Sequence, residues 1–457
     1  MELFSPADRR PIHFVGISGA GMSALASIAC RRGVQVTGCD NDPSGAADVA
    51  ALGATVLQGH DPAHLEGVRA VVATAAVKAD HPELARARAL GIPVIPRKVA
   101  LAELVAGREL VAVAGTHGKT TTTVMASEAL TAAGLQPTGL AGGRVERWGG
   151  NALLAGDALF VVEADEYDQA FLTLYPTVAI VNNVEADHLE CYGTVEALEN
   201  AFVEFAGRAG TVLVGADDSG ARRVAARLSR RIWTFGLAGD AALRIRPGEQ
   251  SSEQSVARVD LPDGRTVTLR LRVPGLHNLR NATGALGAVL ALGGDLDRAL
   301  DALAEFPGVG RRFDRLGETG GVAIVDDYAH HPSELVATLA AARQAYPERR
   351  LVAVFQPHLF SRTQQHGTAM GIALGAADLV VVTEVYAARE QPIAGVSGRL
   401  VADAASNAGT EAHFEPDRSA LTDTVAGLVR AGDLVLTLGA GDITRLGPEL
   451  RERLSAA

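Results

Sequence analysis

The segment Val111-Ala-Val-Ala-Gly115-Thr-His-Gly118-Lys119-Thr120-Thr121 constrains this chain more than any other stretch. An apolar run of strand length ends in a turn holding two glycines, and Gly-Lys-Thr then opens a stretch that predicts a helix. A strand that feeds a helix through a glycine turn is the building unit of parallel α/β sheets. The same turn aims backbone N–H groups and a helix N-terminus at one spot, which suits a polyphosphate. Lys119 is then placed for the β- and γ-phosphates, and the Thr120 hydroxyl for Mg²⁺. Val113 stands where the strict G-x-x-x-x-G-K-[ST] pattern has its first glycine, so the loop is a variant of that pattern. An ordinary helix cap is the alternative reading, and the placement between strand and helix argues against it.

The same alternation recurs along the chain. Strand-like runs at 12–16, 35–39, 71–73 and 94–95 alternate with helical stretches at 21–32 and 82–90, and a helix at 99–105 leads to Gly107. A second series starts at 110–114. It continues with strands at 159–163 and 178–181, helices at 119–133 and 194–205, and an apolar helix at 276–292. Runs at 256–261 and 266–273 flank Pro262-Asp263-Gly264, which predicts an antiparallel hairpin inserted in this series. A third series begins near 317–321, with strands at 322–325, 351–355, 379–383 and 434–438 and a helix at 332–343. The 457 residues suffice for about three domains of roughly 150 each. The predicted fold is therefore α/β in three domains: a Rossmann-like domain over 1–107, a P-loop-type domain with a mostly parallel sheet over 108–316, and a second Rossmann-like domain over 317–457.

Composition excludes some functions. The net charge of −11 opposes non-specific nucleic-acid binding, which depends on clustered positive charge. It leaves room for a small anion held by a few local donors. Cys30, Cys39 and Cys191 form no CxxC-type pair and read as reduced, packed residues rather than disulfide or metal ligands. The first residues have no apolar signal core, and no apolar run reaches membrane-spanning length, so a cytoplasmic protein without membrane insertion is expected.

Two further features bear on chemistry. Gly19-x-Gly21-x-x-Ala24 fits a dinucleotide fingerprint between strand and helix, and Asp40 ends the next strand where it meets a ribose hydroxyl. A nicotinamide dinucleotide satisfies this pattern, and so does a UDP-sugar, because the physics requires only a diphosphate and a sugar hydroxyl. Met22 and Cys30 read by themselves as core residues. Glu163-Ala-Asp165-Glu166 and Asn182-Asn183-Val-Glu185-Ala-Asp187-His188-Leu-Glu190 follow predicted strands. Either alone reads as a solvated turn; beside the phosphate loop both become candidate metal or nucleotide contacts.

With these motifs in order, the chain resembles the Mur ligase family over nearly its whole length, and within it the branch that adds alanine. The matching segments are Gly-Ala-Gly-Met-Ser (19–23), Gly-Thr-His-Gly-Lys-Thr-Thr-Thr-Thr (115–123), Glu-Ala-Asp-Glu (163–166), the stretch at 182–190, and His-Asn-Leu-Arg-Asn-Ala (277–282). Gly-Val-Gly-Arg-Arg-Phe (308–313), Asp-Asp-Tyr-Ala-His-His-Pro (326–332), Phe-Gln-Pro-His (355–358) and Gly-Ala-Gly-Asp-Ile (439–443) complete the set. Relatives often carry Arg where this chain has Leu359, and Tyr-x-Ala-Gly-Glu where it has Tyr386-Ala-Ala-Arg389-Glu390. The stretch 196–205 lacks the lysine that members adding later residues carbamoylate.

The resemblance implies a UDP-binding first domain, an ATPase second domain and a third domain for nucleotide and amino acid. It implies ATP-dependent ligation of L-alanine to UDP-N-acetylmuramate through an acyl phosphate, with Mg²⁺ in two sites, by a monomer or weak homodimer; a ligase that recycles whole peptides is the alternative. ATP falls to Gly115, Thr116, His117, Gly118, Lys119, Thr120 and Thr121, with Asn281 at the adenine, Arg312 at the γ-phosphate and Asp327 at the nucleotide. Thr120, Glu163 and His188 hold metal. Gly19, Ala20, Gly21, Met22, Ser23 and Asp40 hold the UDP-sugar, and Tyr328, His330, His358 and Arg362 position the sugar acid and alanine. Lys119, Glu163, His188, Arg312 and His330 make up the implied catalytic set. The alternatives left open are Arg312 as a surface ion-pair partner, His331 as a cap for the helix beginning at Pro332, and His358 as a packed or solvated residue.

Overall fold

The computed structural model describes residues 2–78, 80–388 and 390–456, so Arg389 lies outside the described residues. Three sheets are formed. The first contains β1 (Ile12–Val15), β2 (Val36–Asp40), β3 (Thr55–Gln58), β4 (Ala70–Ala73) and β5 (Val94–Pro96). These are all parallel, in the order β3-β2-β1-β4-β5. The strand order reverses between β1 and β4, and the first glycine loop leaves β1 at that point, where ligands of open α/β sheets bind.

The second sheet contains β6 (Glu109–Ala114), β7 (Thr138–Val145), β8 (Gly150–Leu154), β9 (Leu159–Glu163), β10 (Val178–Val181), β11 (Thr211–Gly215), β12 (Arg231–Gly236), β13 (Leu243–Gln250), β14 (Ser255–Asp260) and β15 (Thr266–Leu271). Its order is β15-β14-β13-β12-β11-β10-β6-β9-β7-β8. β6 lies between β9 and β10, parallel to both, so the ends of three strands converge beside the phosphate loop. β7 and β8 form an antiparallel hairpin at the edge.

The third sheet contains β16 (Asp314–Thr319), β17 (Val322–Asp327), β18 (Arg350–Phe355), β19 (Leu379–Thr383), β20 (Glu411–Glu415) and β21 (Asp433–Leu438), in the order β16-β17-β21-β18-β19-β20. Only β16 runs antiparallel. β16 pairs with β17 from Asp314 onward, so a boundary at 316/317 cuts a strand. The third series thus begins earlier than 317–321: Gly317 lies within β16, while Gly320 and Gly321, both with positive φ, form the tight turn of this hairpin.

The chain forms two compact units. One spans Met1–Arg246, Arg258–Leu269 and Arg280–Ala304; the other spans Pro247–Ala257, Arg270–Leu279 and Glu305–Ala457. In the first unit, the first two sheets share one apolar core that runs from Ile12 and Phe14 to Phe160 and Val212. Ser23 Oγ lies 3.3 Å from Asn151 Oδ1, and Arg32 pairs with Asp157, across the join between these sheets. Sequence patterning located most of the buried strands to within a few residues. It missed β3, β7, β8, β12, β13, β16 and β20, whose polar, exposed or glycine-containing stretches break the apolar signal, and also β11, which is apolar and buried but only five residues long.

Phe171, fully buried, stacks on Phe205 with ring centroids 5.0 Å apart and meets Phe202 edge-on at 5.1 Å. These rings anchor the helix Val195–Gly207 beneath the loop that follows β9. Phe171→Ala should therefore cost about 3–5 kcal/mol of unfolding free energy, read from denaturant titration.

Candidate active site

The phosphate loop is built by β6, and its shape depends on glycine at two points. Gly115 and Gly118 have φ of +132° and +79°. A Cβ on Gly115 would lie 3.0 Å from Asn182 Cβ, and one on Gly118 would lie 2.6 Å from Asn281 Oδ1. Asn182 and Asn183, at the end of β10, hold the turn. The His117 N–H donates to Asn183 Oδ1 at 2.8 Å, while Asn182 Nδ2 donates to His117 O at 3.2 Å and Thr122 Oγ1 at 3.1 Å. Gly118 caps the helix Lys119–Ala132, with Thr120 and Thr121 buried in its first turn. Asn281, from the helix Leu276–Ala291, therefore packs against the loop as well.

Lys119 Nζ lies 2.8 Å from both carboxylate oxygens of Glu166 and also donates to Gly115 O at 2.7 Å. Burial pulls the ammonium down, but Glu166 and Asp165 beside it prevail and hold it above its ordinary value. Glu166 was visible in the sequence only as one member of an acidic run; its specific partner was not. Glu163 ends β9, opposite Val113 of β6. The Gly142 N–H donates to Glu163 Oε1 at 2.8 Å, and a Cβ on Gly142 would collide with that carboxylate. His188 adopts a left-handed backbone with φ of 52°, and its ring nitrogens lie 3.3 Å from Glu190 and 3.7 Å from Asp187.

The first glycine loop occupies the same compact unit. Asp40 braces this loop: its carboxylate accepts from Ser18 N at 3.1 Å and from Asp42 N at 3.2 Å. Met22 is 2% exposed and its side chain belongs to the core, while the buried Ser23 Oγ donates to Ala20 O. The helix that starts at Ala20 turns both side chains inward, toward β7 and β8. Ala20 and Gly21 instead line a cleft of about 250 Å³ with Arg97, Gly142, Glu163 and Asp165. Arg97, which the sequence analysis did not single out, lies 3.4 Å from Asp165 and 2.8 Å from where a Cβ on Gly21 would sit.

The second unit gathers the remaining candidates around the end of β17. Asp327 is buried and accepts hydrogen bonds from Phe313 N at 2.7 Å, Ala329 N at 2.8 Å and Thr338 Oγ1 at 3.3 Å. The guanidinium carbons of Arg311 and Arg312 both lie 4.8 Å from the centre of the Tyr328 ring. Arg311 further donates to Gly439 O and Gly441 O, and so ties this loop to the end of β21. His330 Nδ1 lies 2.9 Å from Tyr328 O and 3.2 Å from Glu334; burial pushes its imidazole down, against the pull of Glu334. The His330 ring meets those of Tyr328 and His358 edge-on, and His358 stacks on Tyr386 at 5.7 Å. The positive charge of Arg362 also acts on His330. His331 is the N-cap of the helix Pro332–Ala345, as its position before Pro332 suggested. Leu359 has φ of +69° and precedes the helix Phe360–Leu374.

A parallel sheet whose central strand delivers a glycine turn, a lysine and two threonines to a helix N-terminus defines a P-loop-type nucleotide-binding α/β protein. The matches to known proteins sharpen that class. Residues 11–109 match the Mur ligase family catalytic domain, 113–289 the Mur ligase middle domain, and 311–441 the Mur ligase glutamate ligase domain. The chain belongs to the Mur ligase family. A UDP-N-acetylmuramate–L-alanine ligase of Streptomyces griseus is 45% identical over 99% of this chain and 98% of its own length. The crystal structure of a UDP-N-acetylmuramate-alanine ligase from Thermotoga maritima is similar with a TM-score of 0.84 and 31% identity, covering 98% of this chain and 99% of that one. A murein peptide ligase from Psychrobacter arcticus gives 0.74 and 25% over 98% and 99% of the two chains.

Burial lifts the Asp327 carboxyl to about 6, against the Arg312 guanidinium and the two backbone donors. A group raised above its unfolded value stabilises the fold below that unfolded value, and its contribution fades as pH rises through the folded one. Phe313 N and Ala329 N bind different oxygens of Asp327, so Asp327→Asn turns an N–H donor against one of them and should destabilise the chain at pH 4 by about 1–3 kcal/mol. That penalty should shrink as pH rises from 4 to 6 and level off above 6, measured by urea unfolding of both proteins.

Proposed function

We propose that this chain joins L-alanine to the carboxylate of UDP-N-acetylmuramate, with cleavage of ATP to ADP and phosphate, in the synthesis of cell-wall precursors. The observation that carries this reading is the cleft shared by Ala20, Gly21, Arg97 and Glu163. It joins the loop suited to a sugar-linked diphosphate to the acidic end of β9, beside the phosphate loop. A recycling ligase would share this machinery, and the extent and level of identity to alanine-adding relatives favour the alanine reading.

A carboxylate does not condense with an amine in water because oxide is a poor leaving group. The substrate carboxylate therefore attacks the γ-phosphorus of ATP, ADP departs, and an acyl phosphate forms. The amine of alanine attacks the acyl carbon; the tetrahedral intermediate collapses, phosphate leaves, and the ammonium proton passes to solvent or a nearby base. Lys119 and the loop N–H groups hold the polyphosphate, and Arg312 neutralises charge on the transferred group. Arg97 offsets the repulsion between carboxylate and phosphate. Tyr328, His330, His358 and Arg362 position alanine and the sugar acid, while Asn281 and Asp327 contact the nucleotide.

The Thr120 hydroxyl and the Glu163 carboxylate, fixed by Gly142, are hard oxygen donors that suit Mg²⁺. His188 completes the proposed metal set, which we assign to two ions. Bound Mg²⁺ supplies positive charge that the approaching anions need. The functional domains fall at 1–107, 108 to the start of β16, and from β16 to 457. The protein acts in the cytoplasm as a monomer or weak homodimer; no described helix is long and apolar enough to cross a membrane.

Phosphate release from Mg-ATP tests this reading, with UDP-N-acetylmuramate and either L-alanine, glycine, L-serine or tripeptide as the amine. Release that requires the UDP-sugar and is fastest with alanine is expected; release with tripeptide alone would transfer the assignment to recycling. Gly142→Ala should lower Mg²⁺-dependent turnover about 10- to 100-fold by displacing Glu163, with Tm near the wild-type value.

A further inference from the structure

The first sheet carries a cluster of ligand-type side chains that the proposed reaction does not use. His13 on β1, Cys39 on β2, His64 after β3 and Glu83 on the helix Pro82–Ala89 bring their donor atoms within 4.8 Å of one another. His13 Nε2 lies 3.4 Å from Cys39 Sγ and 3.8 Å from Glu83 Oε1. Cys39 Sγ is 3.1 Å from Glu83 Oε2, and His64 Nδ1 is 2.8 Å from Glu83 Oε1. His60 and His81 border the group, at 3.5 and 4.0 Å from Glu83. The side chains of His13 and Glu83 are fully enclosed. They lie on the sheet face with Val15, Leu65 and Leu84, opposite the core shared with the second sheet.

A carboxylate out of contact with water needs a cation or hydrogen-bond donors, and the one backbone donor to Glu83 among the described residues is Asp61 N at 3.2 Å. The ion-pair partners of Glu83 are all histidines, and a thiol crowds the same space. Four donors around a tetrahedral zinc, at bond lengths of about 2.0–2.3 Å, stand roughly 3.3–3.6 Å apart, close to the spacing here. The His13 Nδ1 lies 2.9 Å from Thr37 Oγ1, an outer contact that directs Nε2 into the cluster. Imidazole, thiolate and carboxylate together select a zinc-class ion over Mg²⁺.

We propose that His13, Cys39, His64 and Glu83 form a structural binding site for one zinc-class divalent ion. Binding releases the Cys39 thiol proton to solvent, and the resulting thiolate and the Glu83 carboxylate match the charge of the dication. Cys39 is thus a ligand rather than the merely packed residue its isolation in the sequence suggested. Its carbonyl accepts from Gly16 N and Ile17 N at 2.9 and 3.1 Å, so the ion stiffens the strand from which the first glycine loop hangs.

The full chain, stripped with a chelator and dialysed against Zn²⁺ or Co²⁺, provides the test. Equimolar retention of zinc through gel filtration and a higher Tm are expected. The cobalt form should show the visible bands of a tetrahedral site and a thiolate-to-cobalt charge-transfer band. Cys39→Ser should abolish the charge-transfer band, and His64→Ala should weaken zinc binding roughly tenfold or more. Failure of the folded wild-type chain to retain zinc, or a wild-type cobalt spectrum without the thiolate band, would overturn the proposal. So would zinc uptake unchanged in Cys39→Ser.

Discussion

Lys119 and Glu166 meet at 2.8 Å with both side chains largely out of water, and the nucleotide site depends on that pair. An ammonium at a helix N-terminus faces the positive end of the helix dipole, and burial adds a desolvation cost. Glu166 supplies the opposite charge that keeps Lys119 protonated at this depth. Removing one partner of such a pair leaves an uncompensated buried charge, which costs about 3–5 kcal/mol. The loop carbonyls of Gly115 and Thr116 also accept from Lys119, so the cation organises the turn that is to receive phosphate.

Both glycine loops are held from a neighbouring strand. Asp40 at the end of β2 accepts from the Ser18 N–H of the first loop, and Asn183 after β10 accepts from the His117 N–H of the second. In each case a short polar side chain satisfies a backbone donor that the turn withdraws from the sheet. The loops are therefore preorganised, and their remaining N–H groups can be directed at an anion without further ordering. In the second unit Asp327 applies the same device, accepting from Phe313 N and Ala329 N on either side of β17.

The sequence made the sheet interiors and the phosphate loop legible because both leave local signals. β9 and β19 have the expected bounds, and the apolar strand before Gly115 differs by one residue at its start. Strands without an apolar pattern were not legible: β20 (Glu-Ala-His-Phe-Glu) is half-exposed and polar, and β7 contains three glycines. The roles of Arg97, Gly142 and Glu166 were not legible either. Each acts through a partner distant in the chain, and one sequence contains no signal for contacts of that kind. Asp40 illustrates the limit differently: its position at the strand end was read correctly, while its hydrogen bonds to the loop appear only in three dimensions. The glycines at 317–321 suggest the start of a unit because a tight hairpin turn and a boundary between units share the same composition.

Transfer of oxygen from substrate to phosphate tests the central claim, that one cleft presents a substrate carboxylate to the γ-phosphate of ATP. UDP-N-acetylmuramate labelled with ¹⁸O in its carboxylate would be turned over with Mg-ATP and L-alanine, and the released phosphate analysed by mass. Phosphate carrying label from the carboxylate is expected, because the phosphate that leaves the acyl phosphate takes one carboxylate oxygen with it. Unlabelled phosphate, formed while amide product accumulates, would contradict the account.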